Sequence, residues 1–357
     1  MPPLLDFSRF PLGLNLAIAG AAAIGVWIAG TRLTREANVI AERTGAGQAF
    51  VGLLLLGTIV SLPELSTSVT ASLLGNASFA VNTLVGGISA TMVVLAIVDA
   101  LVPDEPVSSD IEHPVVLLQG ALTVLFLVVA AAGMTVGDVP LLGAGAWSIA
   151  LFVLYILVVR LVEVYERHEP WAPTEEPGSP GPTDEAKRGE AEGSAPGRDR
   201  RSMRRIIMAT TAWAGATLVA GMLLATAGTV VADQSGLGSG IVGMLLGGVA
   251  TSLPEATTFY AAVRLRRFEL AFGDAFGTNL FSTMAIAVAD FAYPGGPVLS
   301  EAGRFGTFGI LLGMALTAVY LAGCIERRNR KVLGMGVDSL IVLFTYVGGM
   351  VLLFRIR

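Results

Sequence analysis

The sequence predicts an all-α integral membrane protein of ten transmembrane helices, arranged as two inverted five-helix repeats. Three observations carry that prediction. The chain has 357 residues, of which 54% are hydrophobic and only 14% charged, against about 25% charged in an ordinary soluble domain. Ten apolar stretches are each long enough for a membrane helix of about 20 residues. Finally, a motif in the first half recurs in the second.

The stretches run near 13–30, 48–73, 79–102, 115–134, 139–162, 205–227, 238–263, 270–292, 305–325 and 333–354. They are rich in Gly, Ala and Leu, which suits helices whose backbones approach closely. None alternates in the short segments of a porin strand. The first is not a cleavable signal peptide. Only Arg9 precedes it, and it ends in Thr31-Arg32-Leu33-Thr34-Arg35 without a small-residue cleavage site. Between the fifth and sixth, residues 164–204 break the pattern. From Glu169-Pro170-Trp171-Ala172-Pro173 the tract is dominated by Pro, Gly and charged residues, too polar to bury a core of its own. It is expected to be a solvated linker between a first repeat at 1–163 and a second at 205–357.

Lys and Arg orient the spans. With the N-terminus outside, the inside loops collect 19 of the 23 basic residues, leaving Arg9, Arg304, Arg355 and Arg357 outside. The expected arrangement is a multi-pass protein of the plasma (inner) membrane, with both termini outside and the central loop cytoplasmic. One inside loop, 103–114, is acidic instead, with Asp104, Glu105, Asp110 and Glu112.

Ser61-Leu62-Pro63-Glu64 returns as Ser252-Leu253-Pro254-Glu255, an offset of 191 residues. The offset holds without a gap over 57–99 against 248–290, with 12 of 43 positions identical, among them Gly57/Gly248, Thr67/Thr258, Gly86/Gly277 and Asp99/Asp290. A repeat of five helices re-enters the membrane in the opposite sense, an architecture of secondary transporters whose substrate sites lie at interrupted helices near midplane. Pro63 and Pro254 supply the interruption, because a proline cannot give a hydrogen bond to the carbonyl four residues before it. Within lipid, such carbonyls must find protein, water or an ion.

A glutamate directly follows each proline, and an ionisable residue at midspan is costly enough to suggest function. Ser61, Thr251 and Ser252 place hydroxyls within a turn of the two carboxylates. One mid-helix proline is often a structural kink and one glutamate a protonated, hydrogen-bonded one; their duplication at equivalent positions argues for a shared purpose. The donor set is all hard oxygen, which suits Ca2+ or Na+ and offers no soft ligand for copper or zinc. No Lys or Arg lies in the middle of a span to balance the charge. Two His and one Cys, Cys324, are too few for a zinc site or a disulfide framework. No basic patch suggests nucleic acid. No bound cofactor is expected; inorganic cations and the lipid bilayer are the expected partners, and homo-oligomerisation is left open.

These residues resemble the signature of the cation/calcium exchanger superfamily, to which sodium/calcium exchangers belong. Its members carry two alpha repeats, each with a Gly-Thr-Ser-x-Pro-Glu-like element followed on the next helix by a Gly-Ser-Asn-x-Phe-Asn or -Asp element. Here the first element reads Ile59-Val60-Ser61-Leu62-Pro63-Glu64 and Ala250-Thr251-Ser252-Leu253-Pro254-Glu255. The second reads Gly86-Gly87-Ile88-Ser89-Ala90-Thr91 and Gly277-Thr278-Asn279-Leu280-Phe281-Ser282. The resemblance implies Glu64 and Glu255 as the central Ca2+ carboxylates. It implies Thr251, with its carbonyl, as a ligand of Ca2+ and Na+, and Ser61, Ser252 and Thr278 as lining the flanking Na+ sites. Val60 stands where the family has Thr, Gly87 where it has Ser, and Thr91 and Ser282 where it has Asn or Asp. The first repeat is thus poorer in ligands than the second, which implies weakened or reshaped ion sites.

The implied function is a secondary antiporter, not an enzyme, driving Ca2+ efflux by Na+ entry through alternating access, with H+ or K+ as alternative coupling ions. No Walker-type Gly-x-x-x-x-Gly-Lys occurs, so ATP-driven pumping has no support. Two readings of other classes are weaker. One is a relative that no longer transports and serves as a sensor or scaffold. The other is an intramembrane acid protease, since Phe272-Gly273-Asp274 approaches the Gly-x-Gly-Asp of such enzymes, but Ala271 replaces the first Gly and no Tyr-Asp partner element occurs. Among other polar residues, Asp274 is expected to hydrogen-bond within the bundle in preference to facing the ion path. Asp99 and Asp290 are expected to meet solvent or cap helices, and Asp338 to pair with Lys331 at the interface. Thr67 and Thr258 suit hydrogen bonds inside the bundle, Asn279 a tie between broken helices, and Cys324 packing.

Overall fold

The computed structural model describes residues 6–44, 59–101, 106–109, 111, 113–167, 201–327 and 330–356. The segment 45–58, which includes Gly57, most of the central tract (168–200), the acids Asp104, Glu105, Asp110 and Glu112, and Arg328 and Arg357 lie outside the described residues.

The described chain is all-helical apart from two small hairpins. The helices are α1 (Leu12–Thr44), α2 (Leu62–Leu73), α3 (Ala77–Leu101), α4 (Pro114–Val136) and α5 (Ala146–Arg167), then α6 (Met203–Ser235), α7 (Ser239–Thr251), α8 (Leu253–Arg264), α9 (Phe268–Ala292), α10 (Gly303–Glu326) and α11 (Val337–Ile356). Hairpin β1–β2 (Pro140–Leu141 with Ala144–Gly145) precedes α5, and hairpin β3–β4 (Lys331–Val332 with Met335–Gly336) precedes α11. The bounds of α6, α8 and α9 are those of α1, α2 and α3 shifted by 191.

Seven of these helices are long and apolar enough to cross a membrane; α5 and α7 are shorter apolar helices. The ten expected stretches differ from these for local reasons. The stretch 238–263 is broken at Ser252 into α7 and α8, the stretch 139–162 spends its start on a hairpin, and much of 48–73 lies outside the described residues.

The two central helices are α3 and α9, with 72% and 78% of their apolar windows buried, against 28% in both α1 and α11. Phe272 and Phe276 of α9 share the core with Phe126 and Tyr320, the last meeting Phe272 edge-on at 5.3 Å. Outward rows such as Phe344, Val347 and Val351 on α11 and Trp27 and Ile28 on α1 are exposed. Apolar rows left outside a packed core are what a lipid-facing surface requires.

Small residues set the closest approach. A Cβ on Gly248 of α7 would lie 2.5 Å from the Gly86 carbonyl carbon of α3, and one on Gly243 would lie 2.7 Å from the Phe79 carbonyl oxygen. Within α7, Gly243–Gly248 winds as a π-helical turn just before the break, and such turns are common at functional sites.

Two buried aspartates tie the ends of the central helices, which corrects the expectation that they meet solvent or cap helices. Asp99, 1% exposed, accepts from Val107 N at 2.9 Å and from Gly336 N at 2.7 Å. Asp290, fully buried, accepts from Val298 N at 2.9 Å and from Gly145 N at 2.8 Å. All three positions of one set map onto the other through the 191-residue offset. Each carboxylate thus holds the loop after its own helix and the hairpin of the opposite half. The hairpin turns match as well: Leu142 and Gly143 have φ of 50° and 90°, and Leu333 and Gly334 have φ of 55° and 87°.

Candidate ion-binding site

The two motifs make the same local structure. Ser61 (φ −87°, ψ 12°) and Ser252 (φ −87°, ψ −1°) are the breaks, and each is followed by a helix with proline in its first turn, where a missing N–H costs little. Ser-x-x-Glu in that position is also the pattern of a capping box, in which the serine and glutamate side chains would bond the helix's first N–H groups. Neither serine makes a side-chain cap bond, and neither glutamate is used for one. Both carboxyls instead turn into the bundle.

There Glu64 (1% exposed) and Glu255 (fully buried) face each other. Among the described residues none of their four carboxyl oxygens has a hydrogen-bond partner. A buried charge without a partner is among the costliest arrangements in a protein. The pair therefore calls for protons or a cation, and its all-oxygen character favours a hard one.

The surrounding hydroxyls divide into used and unused. Ser61 Oγ is fully buried and has no partner among the described residues. Ser252 Oγ donates to the Gly87 carbonyl at 3.2 Å, and Thr251 Oγ1 bonds back to the Gly247 and Gly248 carbonyls at 3.0 and 3.1 Å. Thr251 thus engages its hydroxyl within α7. Gly87 borders both glutamate motifs: a Cβ there would sit 3.6 Å from Ser252 Oγ and 3.9 Å from Glu64 Oε1. Thr278 is buried beside Asp274. Thr91 and Ser282 are buried on α3 and α9 and bond neither glutamate.

The remaining polar residues sort themselves out. Thr67 Oγ1 donates to Pro63 O at 2.8 Å, and Thr258 Oγ1 to Glu255 O at 2.8 Å, so both make bundle-interior bonds. Asn279 Nδ2 donates to Ile88 O at 3.3 Å, at its own repeat-equivalent position. It ties α9 to α3, two unbroken helices, where a tie between broken ones was expected. Asp338 accepts from Ser339 N at 2.9 Å and lies beside Ser108 and Asp99, which differs from the expected pairing with Lys331. Cys324 is buried in the core. Asp274 accepts from Thr258 Oγ1 at 3.2 Å and acts electrostatically on Glu255, so it belongs to the site's surroundings. The signal for Asp99 and Asp290 was in the sequence: Leu142-Gly143-x-Gly145 and Leu333-Gly334-x-Gly336 extend the repeat to the segments these carboxylates hold.

The sodium/calcium exchanger protein family matches residues 14–162, which contain the first glutamate motif. The putative antiporter CaxA of Alkalimonas amylolytica is 26% identical over 334 residues, covering 92% of this chain and 95% of that protein. The family match thus lies in the first half of the chain, while the likeness to the relative runs across nearly all of it. Solved structures share the fold of this chain over nearly its whole length. The sodium-calcium exchanger NCX_Mj matches with a TM-score of 0.58 at 15% identity over 96% of this chain and 99% of that one. The H+/Ca2+ exchanger CAX matches with a TM-score of 0.62 at 14% identity, over 96% and 90%. YfkE gives 0.64 at 13% identity, over 94% and 92%. With seven helices long and apolar enough to cross a membrane, the chain is a multi-pass membrane protein.

Proposed function

We propose that this chain is a member of the cation/calcium exchanger superfamily and a secondary antiporter that moves Ca2+ out in exchange for Na+ at the Glu64–Glu255 pair. The observation carrying the reading is that pair itself: two buried carboxyls, face to face, with no donor among the described residues. One Ca2+ balances both charges, and so do two monovalent ions, but the site cannot hold both sets fully neutralised. Competition for one site, exposed to each face in turn, gives exchange without ATP.

The arrangement we propose is ten spans in two inverted five-helix repeats, 1–163 and 205–357, joined by a cytoplasmic loop at 164–204, with both termini outside the plasma membrane. It is supported by the shared bounds of α1–α3 and α6, α8 and α9, by the matched hairpins, and by the distribution of basic residues. Exchange is supported by the names of the relatives, a putative antiporter and exchangers of Ca2+ with Na+ or H+.

A specific observation favours proton coupling as the second reading. Val60 and Gly87 offer no side-chain oxygen where the second half has Thr251 and Thr278. That leaves few hydroxyls for flanking Na+. Everted vesicles decide between the two. Ca2+ uptake into Na+-loaded vesicles, lost by more than 100-fold in Glu255→Gln, supports Na+ coupling. Uptake driven only by an acid-inside gradient supports H+. No Ca2+ flux under either gradient overturns the exchanger reading.

A further inference from the structure

We propose that Asp274, with the Thr258 and Thr278 hydroxyls and the Glu255 carboxyl, forms a second station for a hard cation. It lies one helical turn from the glutamate pair and on one side of it only. This deepens the exchanger reading and rests on it.

The placement follows from the helices. Thr258 stands one turn beyond Glu255 on α8, toward the end at Arg264, and Asp274 stands two turns into α9 from its start at Phe268. Both therefore lie on the Arg264–Arg267 side of the pair. Asp274 Oδ2 is 3.2 Å from Thr258 Oγ1, which is 2.8 Å from the Glu255 backbone oxygen. Thr278 flanks the Asp274 carboxyl one turn along α9. The hydroxyls keep lone pairs after their single protons are placed. The cluster is oxygen throughout, the chemistry of Na+ and Ca2+ sites. Glu255, fully buried, leaves both carboxyl oxygens without a partner beside it, whereas Asp274 is only half-buried.

A purely structural role does not account for the charge. A carboxylate inside a membrane bundle is costly, and no Lys or Arg forms an ion pair with it among the described residues. The other half shows what suffices for packing. There the equivalent position is Thr83, neutral, and so closely packed that a Cβ on Gly247 would collide with its hydroxyl. The equivalent of Thr258 is Thr67, which bonds only Pro63 O. The fold thus provides the same niche twice and carries a carboxylate in one of them.

The test is sided. The full chain is placed in vesicles of defined orientation, and initial Ca2+ flux is followed with Ca2+ presented from each face. Asp274→Asn should raise the half-saturating Ca2+ concentration about tenfold from the Arg264–Arg267 face, the order of change expected for one fewer charged ligand, and leave the opposite face within about twofold. Asp274→Thr, copying the other half, is a second neutral replacement and should give the same sided shift should the first variant fold poorly. Glu255→Gln should abolish flux from both faces. No shift, or an equal shift from both faces, overturns the station and leaves the exchanger standing. Absence of wild-type flux from either face overturns both.

Discussion

The two halves of this protein agree in backbone geometry at their helix breaks, hairpins and aspartate ties, and differ in several side chains around the glutamate pair they share. The helix breaks at Ser61 and Ser252 share their dihedrals, the hairpins at Leu142-Gly143 and Leu333-Gly334 share theirs, and Asp99 and Asp290 each hold the same two segments. The niche side chains, by contrast, have diverged: Val60 against Thr251, Gly87 against Thr278, Thr83 against Asp274. Even a helix end shows the contrast. Gly75 closes α2 with φ 82°, and its equivalent after α8 is Arg266 with φ 57°. A left-handed conformation costs a non-glycine residue about 1 kcal/mol. The second half accepts that cost in the basic loop. A shared scaffold therefore constrains form, while the ion site is free to become asymmetric, which suits a device that must bind from one face and release to the other.

The largest effect should come from the scaffold. A methyl on Gly86 would collide with the Met244 backbone carbonyl, and one on Gly248 would lie 2.5 Å from the Gly86 carbonyl carbon. Backbone cannot move aside as a side-chain tip can. Gly86→Ala and Gly248→Ala should each cost about 3 kcal/mol, read as a fall in melting temperature of the purified protein. Adjacent Gly87→Ala, whose methyl meets nothing nearer than 3.6 Å, should be close to neutral. Equal melting points for the Gly86 and Gly87 variants would erase the distinction between scaffold and site.

The aspartates come next and probe the agreement between halves. Each makes two charge-assisted bonds to backbone N–H groups in a buried setting. Asp99→Asn and Asp290→Asn retain one acceptor each and should each cost about 2 kcal/mol. The two losses should match within about 0.5 kcal/mol by thermal unfolding. A twofold or greater difference would mean that the ties have diverged as the ligands have.

Much of this was legible from the residues. The 191-residue offset and the paired Pro-Glu dipeptides located the glutamate pair, because a costly residue at midspan in a duplicated motif has few explanations. Asp99 and Asp290 were visible as matched positions but misjudged as meeting solvent or capping helices. Each has one partner just after its own helix and one backbone N–H of the opposite half, more than 140 residues away in sequence, and no side-chain pattern records an N–H. Asp338 beside Lys331 looked like an ion pair through proximity in sequence, whereas its neighbours are Ser108 and Asp99. The engagement of the Thr251 and Ser252 hydroxyls was hidden for the same reason, since their acceptors are carbonyls.

The smallest effect tests the other side of the comparison, whether the poorer niche can be refilled. Gly87 is the first-half equivalent of Thr278, and a Cβ there would make ordinary contacts, 3.6 Å from Ser252 Oγ and 3.9 Å from Glu64 Oε1. Gly87→Ser should therefore fold and bring a hydroxyl to Glu64. One more neutral oxygen on a hard cation should tighten Na+ binding several-fold, read as a lower Na+ concentration for half-maximal Ca2+ uptake. The serine has a competing choice: it can hydrogen-bond the Ser252 hydroxyl, which its Cβ would approach at 3.6 Å, and leave the ion untouched. Unchanged Na+ dependence with unchanged melting temperature would mean that choice prevails, and that the asymmetry between the halves cannot be undone by ligand count alone.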